Sequence, residues 1–142
     1  MENNKLIRPF HLAFPVSNIK EAELWYTNIL GCSIGRKSEK WIDFNLYGHQ
    51  IVAHLSNNNI SINTNEVDGK NVPASHFGVI LNYNQWDQLI EKLNKNKIVF
   101  LIKPQVRFKG KNGEQKTFFI KDPSGNALEF KAFKDDANIF KS

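Results

Sequence analysis

Two histidines and one glutamate are the side chains of this 142-residue sequence best suited to binding a metal ion: His11, His76 and Glu129. Two imidazoles and one carboxylate form a facial triad, which holds a divalent transition metal and leaves coordination positions open for substrate, water or dioxygen. These donor types suit Fe(II), Mn(II), Zn(II) and Ni(II), and ligand type alone does not choose among the four. Such a metal could polarise a carbonyl, stabilise an enolate, lower the pKa of a bound water, or bind a catechol together with oxygen.

Each of these residues also has a structural explanation. A single histidine in a strand is more often packed or hydrogen-bonded than a metal ligand. A buried carboxylate is costly without a partner, and the partner of Glu129 is either a metal ion or a basic side chain such as Lys131. Taken one at a time, the residues leave both interpretations open.

The same order of elements occurs twice along the chain. An alternating segment at 9–16 predicts a strand, after which Ser17 and Asn18 are good N-caps for a helix that stops near Gly31. The pattern restarts with a strand at 75–81 and a helix capped by Asn82 or Asn84. Further strands are predicted at 32–37, 40–46, 49–56, 98–106, 115–121 and 126–133. The sequence therefore predicts an α+β fold of two βαβββ modules that form a curved mixed β-sheet.

The length fits one domain, residues 1–142. Within it the first module spans 9–56 and the second spans 72–134. The stretch at 57–71 is rich in Asn and Ser and has no apolar periodicity, which predicts a linker between the modules.

Alternation of side chains along each strand places the candidate ligands on a common side. The more apolar side of a strand must face the helix, and in the first strand His11 lies on the opposite, open side. The same reasoning places His76, Glu129 and His54 on the open side of their strands. All the candidate metal-binding and proton-transferring groups are thus expected to face away from the helices.

The two halves differ at one position that matters for metal binding. Aligning them at Gly48 and Gly125 puts Val52 opposite Glu129, so three protein ligands are expected rather than four. Gln50 and His54, two residues to either side of Val52, are candidates for groups that hydrogen-bond the ligands or transfer a proton. Gln50 is also a candidate for contact with substrate, and the alternative for His54 is that it merely ends its strand.

The net charge of +5 raises the question of a nucleic-acid partner. The lysines are spread through the chain among Asp and Glu, without the compact basic cluster that tracks phosphates, so no nucleic-acid partner is predicted. Arg107, Lys116, Lys131 and Gln115 are instead candidates for contact with a small anionic substrate, with solvent exposure as the alternative. Lys131 has the strongest argument, because it shares the side of Glu129.

Other bulk features predict a cytoplasmic protein. Cys32 is the single cysteine, so no internal disulfide can form. No apolar run is long enough to span a membrane, and residues 1–5 lack the apolar segment of a secretory signal. We expect Cys32 to be reduced and to pack as a small apolar side chain.

Several motifs resemble the vicinal oxygen chelate superfamily, which includes glyoxalase I, fosfomycin-resistance proteins, extradiol dioxygenases and bleomycin-binding proteins. FHLAFPV at 10–16 is similar to the opening strand of that superfamily, WYTNILG at 25–31 to its helix end, and FFIKDPSGNALEF at 118–130 to its closing hairpin, ligand Glu included. Four stretches more narrowly resemble a subgroup of predicted extradiol-type dioxygenases: 41–44, 48–55, 73–78 and 129–133. The resemblance covers nearly the whole chain from residue 9 to residue 133.

The resemblance implies paired βαβββ modules in which His11, His76 and Glu129 are the metal ligands. In a dioxygenase the metal is Fe(II), the substrate is a catechol chelated through two oxygens, and His54 is the candidate acid/base. Short members of the superfamily often pair their modules across a homodimer, which leaves open whether the site forms within one chain or between two.

Two further functions remain as alternatives. One is a glyoxalase-like isomerase or lyase, or a thiol transferase, that uses Mn, Zn or Ni without oxygen; Val52 makes the glyoxalase reaction less favoured. The other is a metal-free drug-binding resistance protein, against which stand the three aligned ligand types and the positive charge.

Overall fold

The computed structural model describes residues 7–57 and 63–142. These divide into two compact units on either side of the boundary between Asn57 and Asn58. The predicted absence of a secretory signal concerns residues 1–5, which lie outside the described residues.

The first unit is a four-stranded mixed sheet with one helix. Its elements are β1 (His11–Val16), α1 (Ile19–Asn28), β2 (Ser33–Lys37), β3 (Trp41–Leu46) and β4 (His49–Leu55). The strand order is β1-β4-β3-β2, with β1 parallel to β4 and the other pairs antiparallel. The parallel pair brings the first and last strands of the module together at one edge of the sheet.

The second unit repeats this plan and adds a hairpin before it. Its elements are β5 (Thr64–Val67), β6 (Lys70–Pro73), β7 (Ile80–Leu81), α2 (Tyr83–Lys95), β8 (Ile102–Arg107), β9 (Gln115–Lys121), β10 (Ala127–Phe133) and a 3-10 helix (Asp136–Asn138). Its four-stranded sheet has the order β7-β10-β9-β8, with β7 parallel to β10. The predicted α+β fold of two βαβββ modules is confirmed.

Both helices begin at the predicted caps. The Asn18 side chain accepts from the Glu21 backbone N–H at 2.8 Å. Asn82 accepts from the Gln85 N–H at 2.8 Å, and the Gln85 side chain accepts in return from the Asn82 N–H at 3.1 Å, which completes a capping box. These bonds satisfy backbone donors that a helix start leaves unpaired.

The side of each sheet that faces its helix forms the core of that unit. In β1, Phe14 and Val16 are buried, whereas His11 is exposed. In β10, Leu128 and Phe130 are fully buried, and Trp86 of α2 donates its Nε1–H to the Phe130 carbonyl at 2.9 Å. The predicted division of each strand into a helix-facing and an open side is therefore confirmed for both strands that carry candidate ligands.

The stretch at 57–71, predicted to link the two modules, contains a hairpin in its described part that the sequence analysis did not predict. The strands β5 and β6 form a hairpin there, joined by Asp68 and Gly69, which have φ values of 52° and 74°. Two successive residues with positive φ form the tight turn that Asp-Gly favours, so the dipeptide was the usable signal. Residues 58–62 of the predicted linker lie outside the described residues.

Two other expectations have plain outcomes. Cys32 is buried, as predicted for a side chain that packs as a small apolar group. None of the helices in the described ranges has the length and apolar character needed to cross a membrane.

Candidate functional site

His76 and Glu129 meet on the open side of the second unit. Glu129 lies in the middle of β10, and His76 lies in the segment that leads from β6 to β7. The His76 Nε2 atom is 3.6 Å from Glu129 Oε2, and the two side chains are 30% and 12% exposed. This separation is too long for a hydrogen bond between the two atoms, so they converge without satisfying each other.

The orientation of the His76 ring leaves Nε2 available as a ligand. Its Nδ1 is 2.7 Å from the carbonyl oxygen of Pro73. A carbonyl oxygen can only accept, so Nδ1 carries the proton and donates it. The Phe119 ring packs edge-on against the imidazole, with 5.0 Å between ring centroids. A backbone carbonyl that fixes the tautomer and direction of a histidine is the usual support for a metal ligand.

The carboxylate of Glu129 has two different neighbours. Oε2 faces His76, and Oε1 lies 3.4 Å from the Lys131 ammonium. The expectation that this carboxylate has a partner is therefore met by Lys131. The ion pair involves Oε1, so Oε2 is the oxygen that lies on the side of His76.

Gly78 allows β10 to approach the segment that carries His76. A Cβ built on Gly78 would lie 1.6 Å from the Glu129 carbonyl oxygen. The close approach interrupts the strand predicted at 75–81, of which the structure keeps Ile80–Leu81 and an isolated bridge from Phe77 to Leu128. A glycine at this position thus sets the distance between the two candidate ligands.

Gly78→Ala is expected to lower the free energy of unfolding by about 1–3 kcal/mol or more, because a Cβ has no rotamer that avoids the β10 backbone. Urea denaturation measures this change. Gly35→Ala is the matched control, because its Cβ would lie 3.2 Å from the Asp43 Cβ and can be accommodated by a small shift. Wild-type stability in Gly78→Ala would contradict the proposed close approach.

A hydrogen bond to Nδ1 also fixes the tautomer of His11 in the first unit. Its Nδ1 lies 2.8 Å from the side-chain oxygen Oε1 of Gln50, which can only accept, so Nε2 of His11 carries the free lone pair. The backbone around His11 is also fixed by β4. The Phe10 N–H donates to His49 Nδ1 at 2.9 Å, and the Gln50 N–H donates to the Phe10 carbonyl at 2.9 Å. Sequence reasoning missed His49, for which the strand pattern gives no signal.

The strand registers relate the two units position by position. His11 pairs with Gln50, and the bridge from Phe77 to Leu128 puts His76 beside residue 127. Counting two residues on, Val52 in β4 corresponds to Glu129 in β10. The predicted alignment of these two residues is confirmed, and it also makes His54 the counterpart of Lys131.

The donor set fits a divalent metal ion. Both histidines have Nε2 available as a ligand atom, and Nε2 of His76 lies 3.6 Å from Oε2 of Glu129. Two adjacent ligand atoms that each lie about 2.1 Å from one metal ion are about 3 Å apart, so these two atoms are close to the separation that a shared metal requires. His11 lies in the first unit, and His76 and Glu129 lie in the second. Within residues 7–57 and 63–142, no group of three or more His, Cys, Asp or Glu side chains is arranged to hold a metal ion.

The other predicted residues have different surroundings. His54 is exposed near the end of β4, four residues from Gln50 and so about 13 Å along the strand. Gln115 is 7% exposed, rather than facing solvent. Arg107 donates to Asp68 of the β5–β6 turn at 2.7 Å, which ties the hairpin to β8.

Lys116, a candidate for contact with substrate, has its partners on α2. Its ammonium donates to Asp87 of α2 at 2.6 Å and lies 4.0 Å from the centre of the Tyr83 ring. Lys116 therefore lies on the helix-facing side of β9, on the same side as Phe118 and opposite to the side of Thr117.

A cavity of about 500 Å³ opens on the first unit, a volume within the range of small-molecule sites. Its polar lining includes Arg36, Asp43, Asn45, His49 and Gln50. Gln50 joins this cavity to His11. Asp43 was not predicted as a site residue; it pairs with Val52 in the register of β3 and β4 and so faces the open side.

Tyr47 lines a smaller cavity of about 290 Å³ that shares Ser33 and Asn45 with the larger one. Burial raises the pKa of the Tyr47 hydroxyl above its usual value of 10.0. The hydroxyl therefore stays protonated at neutral pH and is able to donate a hydrogen bond.

Comparison with known proteins identifies the family of the chain. The family model of the Glyoxalase/Bleomycin resistance protein/Dioxygenase superfamily matches residues 8–130. The chain belongs to this superfamily. A glyoxalase/bleomycin resistance protein/dioxygenase from Alicyclobacillus acidocaldarius is 33% identical, with 99% of this chain and 100% of that chain covered and a TM-score of 0.79.

Solved structures of lower sequence identity share the fold. A genomically encoded fosfomycin resistance protein from Listeria monocytogenes is 13% identical, with 89% of this chain and 93% of that chain covered and a TM-score of 0.67. A lactoylglutathione lyase from Agrobacterium tumefaciens is 14% identical, with 92% and 96% covered and a TM-score of 0.64. These two proteins are named for different activities on one fold, so the fold does not choose between the activities.

Proposed function

We propose that this chain is a metal-dependent oxygenase of the extradiol type, in which His11, His76 and Glu129 hold one Fe(II) ion. The substrate is a small aromatic molecule that carries a negative charge. The observation that carries the proposal is the pair of His76 and Glu129. Its imidazole is fixed by the Pro73 carbonyl with Nε2 free, and its carboxylate lies 3.6 Å away without a hydrogen bond between them.

Further support comes from the first unit. His11 presents Nε2 in the same tautomer, fixed by Gln50. Val52 in place of a second carboxylate limits the protein ligands to three, which leaves positions for a chelating substrate and dioxygen. Members of the superfamily typically bind a divalent metal, and the donor types here meet that expectation.

The metal ion, Lys131 and His54 would have different roles in the reaction. Bound Fe(II) would supply a charged centre to which the substrate's two oxygens bind. It would also supply the redox chemistry that a reaction with dioxygen needs. Lys131, beside Glu129, would bind the substrate's negative charge. His54, exposed near the end of β4, would exchange a proton with the part of the substrate distant from His11.

The pairing of Gln50 with His11 leads to a measurable expectation. Gln50→Leu removes the acceptor that fixes the His11 tautomer, so the affinity for divalent metal is expected to fall by about 10- to 100-fold. Gln50→Glu keeps an oxygen at the same position and is expected to retain the affinity. Isothermal titration with Mn(II) measures both; equal affinities in Gln50→Leu and wild type would contradict this role of Gln50.

A second candidate is an isomerase, lyase or thiol transferase that uses Mn(II), Zn(II) or Ni(II) without oxygen. One solved structure that shares the fold is named as a lactoylglutathione lyase, which is an activity of this kind. The two functions differ in metal preference and in oxygen dependence, and both properties can be measured on one preparation.

The experiment is anaerobic reconstitution with Fe(II), Mn(II), Zn(II) and Ni(II) in competition, followed by oxygen-uptake assays with a panel of catechols. Near-stoichiometric iron and catechol-dependent oxygen uptake would support the oxygenase. Retention of only Mn, Zn or Ni would favour the second candidate. Failure to bind any metal would overturn both and leave a metal-free binding protein, with the three residues as polar lining of its pocket.

A further inference from the structure

Thr117 has a buried hydroxyl that the proposed function does not use. The residue is 2% exposed. Within residues 7–57 and 63–142, its Oγ1 is the one buried side-chain nitrogen or oxygen without a hydrogen-bond partner. Native proteins pair nearly all such groups, because an unpaired buried hydroxyl loses its bonds to water without replacement. This hydroxyl can therefore donate a hydrogen bond to a ligand without giving up one within the described residues.

The strand registers place Thr117 in a row across the open side of the second sheet. It pairs with Lys131 on β10 and with Gln105 on β8. The neighbouring row joins Glu129 to Phe119, and the ring of Phe119 packs against His76. Directly paired residues in antiparallel strands have Cβ atoms about 4.5–5.5 Å apart, so Thr117 is an immediate neighbour of Lys131 and is one row from Glu129.

The partners on either side of Thr117 are engaged elsewhere. The Lys131 ammonium lies 3.4 Å from Glu129 Oε1, and Gln105 Oε1 accepts from the Lys70 ammonium at 2.7 Å. Neither the ion pair of Lys131 nor the hydrogen bond of the Gln105 side chain involves the threonine hydroxyl. Lys131 and Gln105 both have long flexible side chains that can move aside, so a ligand can reach Oγ1 without a change in the backbone.

We propose that the Thr117 hydroxyl and the Lys131 ammonium together bind an anionic oxygen of the substrate, next to Glu129. A hydroxyl donor beside an ammonium matches an oxygen of a carboxylate or of a phosphoryl group, because both donate to it and the ammonium balances its charge. Lys131 exchanges its contact with Glu129 for one with the substrate once that carboxylate binds a metal ion. The inference rests on the proposed function in this last step and names the substrate as an oxyanion.

The test compares Thr117→Val with Thr117→Ser, using inorganic phosphate and benzoate as probes. Valine has nearly the shape of threonine without the hydroxyl, and serine keeps the hydroxyl. We expect Thr117→Val to bind the favoured anion about tenfold more weakly, the factor that one hydrogen bond to a charged group is worth. Thr117→Ser is expected to bind like wild type. Comparing phosphate with benzoate in the wild type distinguishes a phosphoryl from a carboxylate ligand.

Stability supplies a second readout. Because the hydroxyl has no partner, Thr117→Val is expected to have the Tm of the wild type or a higher one. A clear fall in Tm would show a structural role and overturn the inference, as would undiminished anion affinity in Thr117→Val or no binding of either anion to the wild type.

Metal content is measured separately on each variant. Full metal binding with unchanged anion affinity in Thr117→Val would overturn the inference alone. Absence of metal from the wild type would overturn the proposed function and the inference together, because Lys131 would then keep its contact with Glu129.

Discussion

Glu129→Gln is expected to lower the affinity for divalent metal by more than the roughly 100-fold that loss of a supporting hydrogen bond costs. The substitution keeps the size of the side chain and removes its charge, and a neutral amide is a poor ligand for Fe(II) or Mn(II). The side chain is 12% exposed and lies on the open side of β10, so the fold is expected to persist. Equilibrium dialysis with elemental analysis measures the loss, and circular dichroism checks the fold.

Lys131→Met is the matched control for this result. If Glu129 served only as an ion-pair partner, both substitutions would break the same contact and neither would change metal content. As a ligand, Glu129 keeps its carboxylate in Lys131→Met, which is expected to bind metal at least as well as wild type because a competing cation is gone. Full metal content in Glu129→Gln would remove Glu129 from the ligand set.

His11→Ala is expected to lose metal as completely as Glu129→Gln does, although the two residues belong to different units. The imidazole lies on the exposed side of β1, with Phe14 and Val16 forming the core on the other side, so little packing is lost. His54→Ala is the matched control, because it removes an exposed imidazole from β4 and is expected to leave metal binding intact. Metal content at the wild-type level in His11→Ala would leave His76 and Glu129 as a two-residue site.

The same two ligand variants distinguish a site within one chain from a site between two chains of a homodimer. Co-expression of His11→Ala with Glu129→Gln produces mixed dimers. If His11 joins His76 and Glu129 of the same chain, every site in a mixed dimer lacks one ligand and no metal is bound. If the ligands come from two chains, one of the two sites keeps all three, and metal content is partly restored.

Local sequence rules predicted most of the fold because each element depends on neighbouring residues. Alternation along β1 and β10 separated His11 and Glu129 from the buried Phe14 and Phe130. Asn18 and Asn82 marked both helix starts, since their side chains bond the first free backbone N–H groups. These rules also located the candidate ligands, because a polar side chain on the open side of an apolar strand stands out.

Two features were not predicted, for different physical reasons. The hairpin of β5 and β6 consists mostly of exposed residues, so it has no apolar period, and the Asp68-Gly69 turn was its one signal. Lys116 was a candidate for substrate contact because of its charge, and its side of β9 did not enter that prediction. Alternation from the buried Phe118 places it next to α2, where Asp87 binds it.

Other features of the site depend on contacts between distant segments. The role of His49 follows from a bond to the Phe10 backbone 39 residues away. The buried, unpartnered hydroxyl of Thr117 follows from the register of three strands. The close approach of Gly78 to Glu129 follows from the packing of two backbones. No residue pattern within one strand predicts any of the three.

A crystal structure of the protein reconstituted with Fe(II) or Mn(II) tests the central claim most directly, through the anomalous scattering of the metal. We predict one peak per chain, about 2.0–2.3 Å from His76 Nε2, a carboxylate oxygen of Glu129 and Nε2 of His11 from the same or a second chain. A peak bound by other residues, or no peak in crystals soaked with saturating metal, would contradict the account.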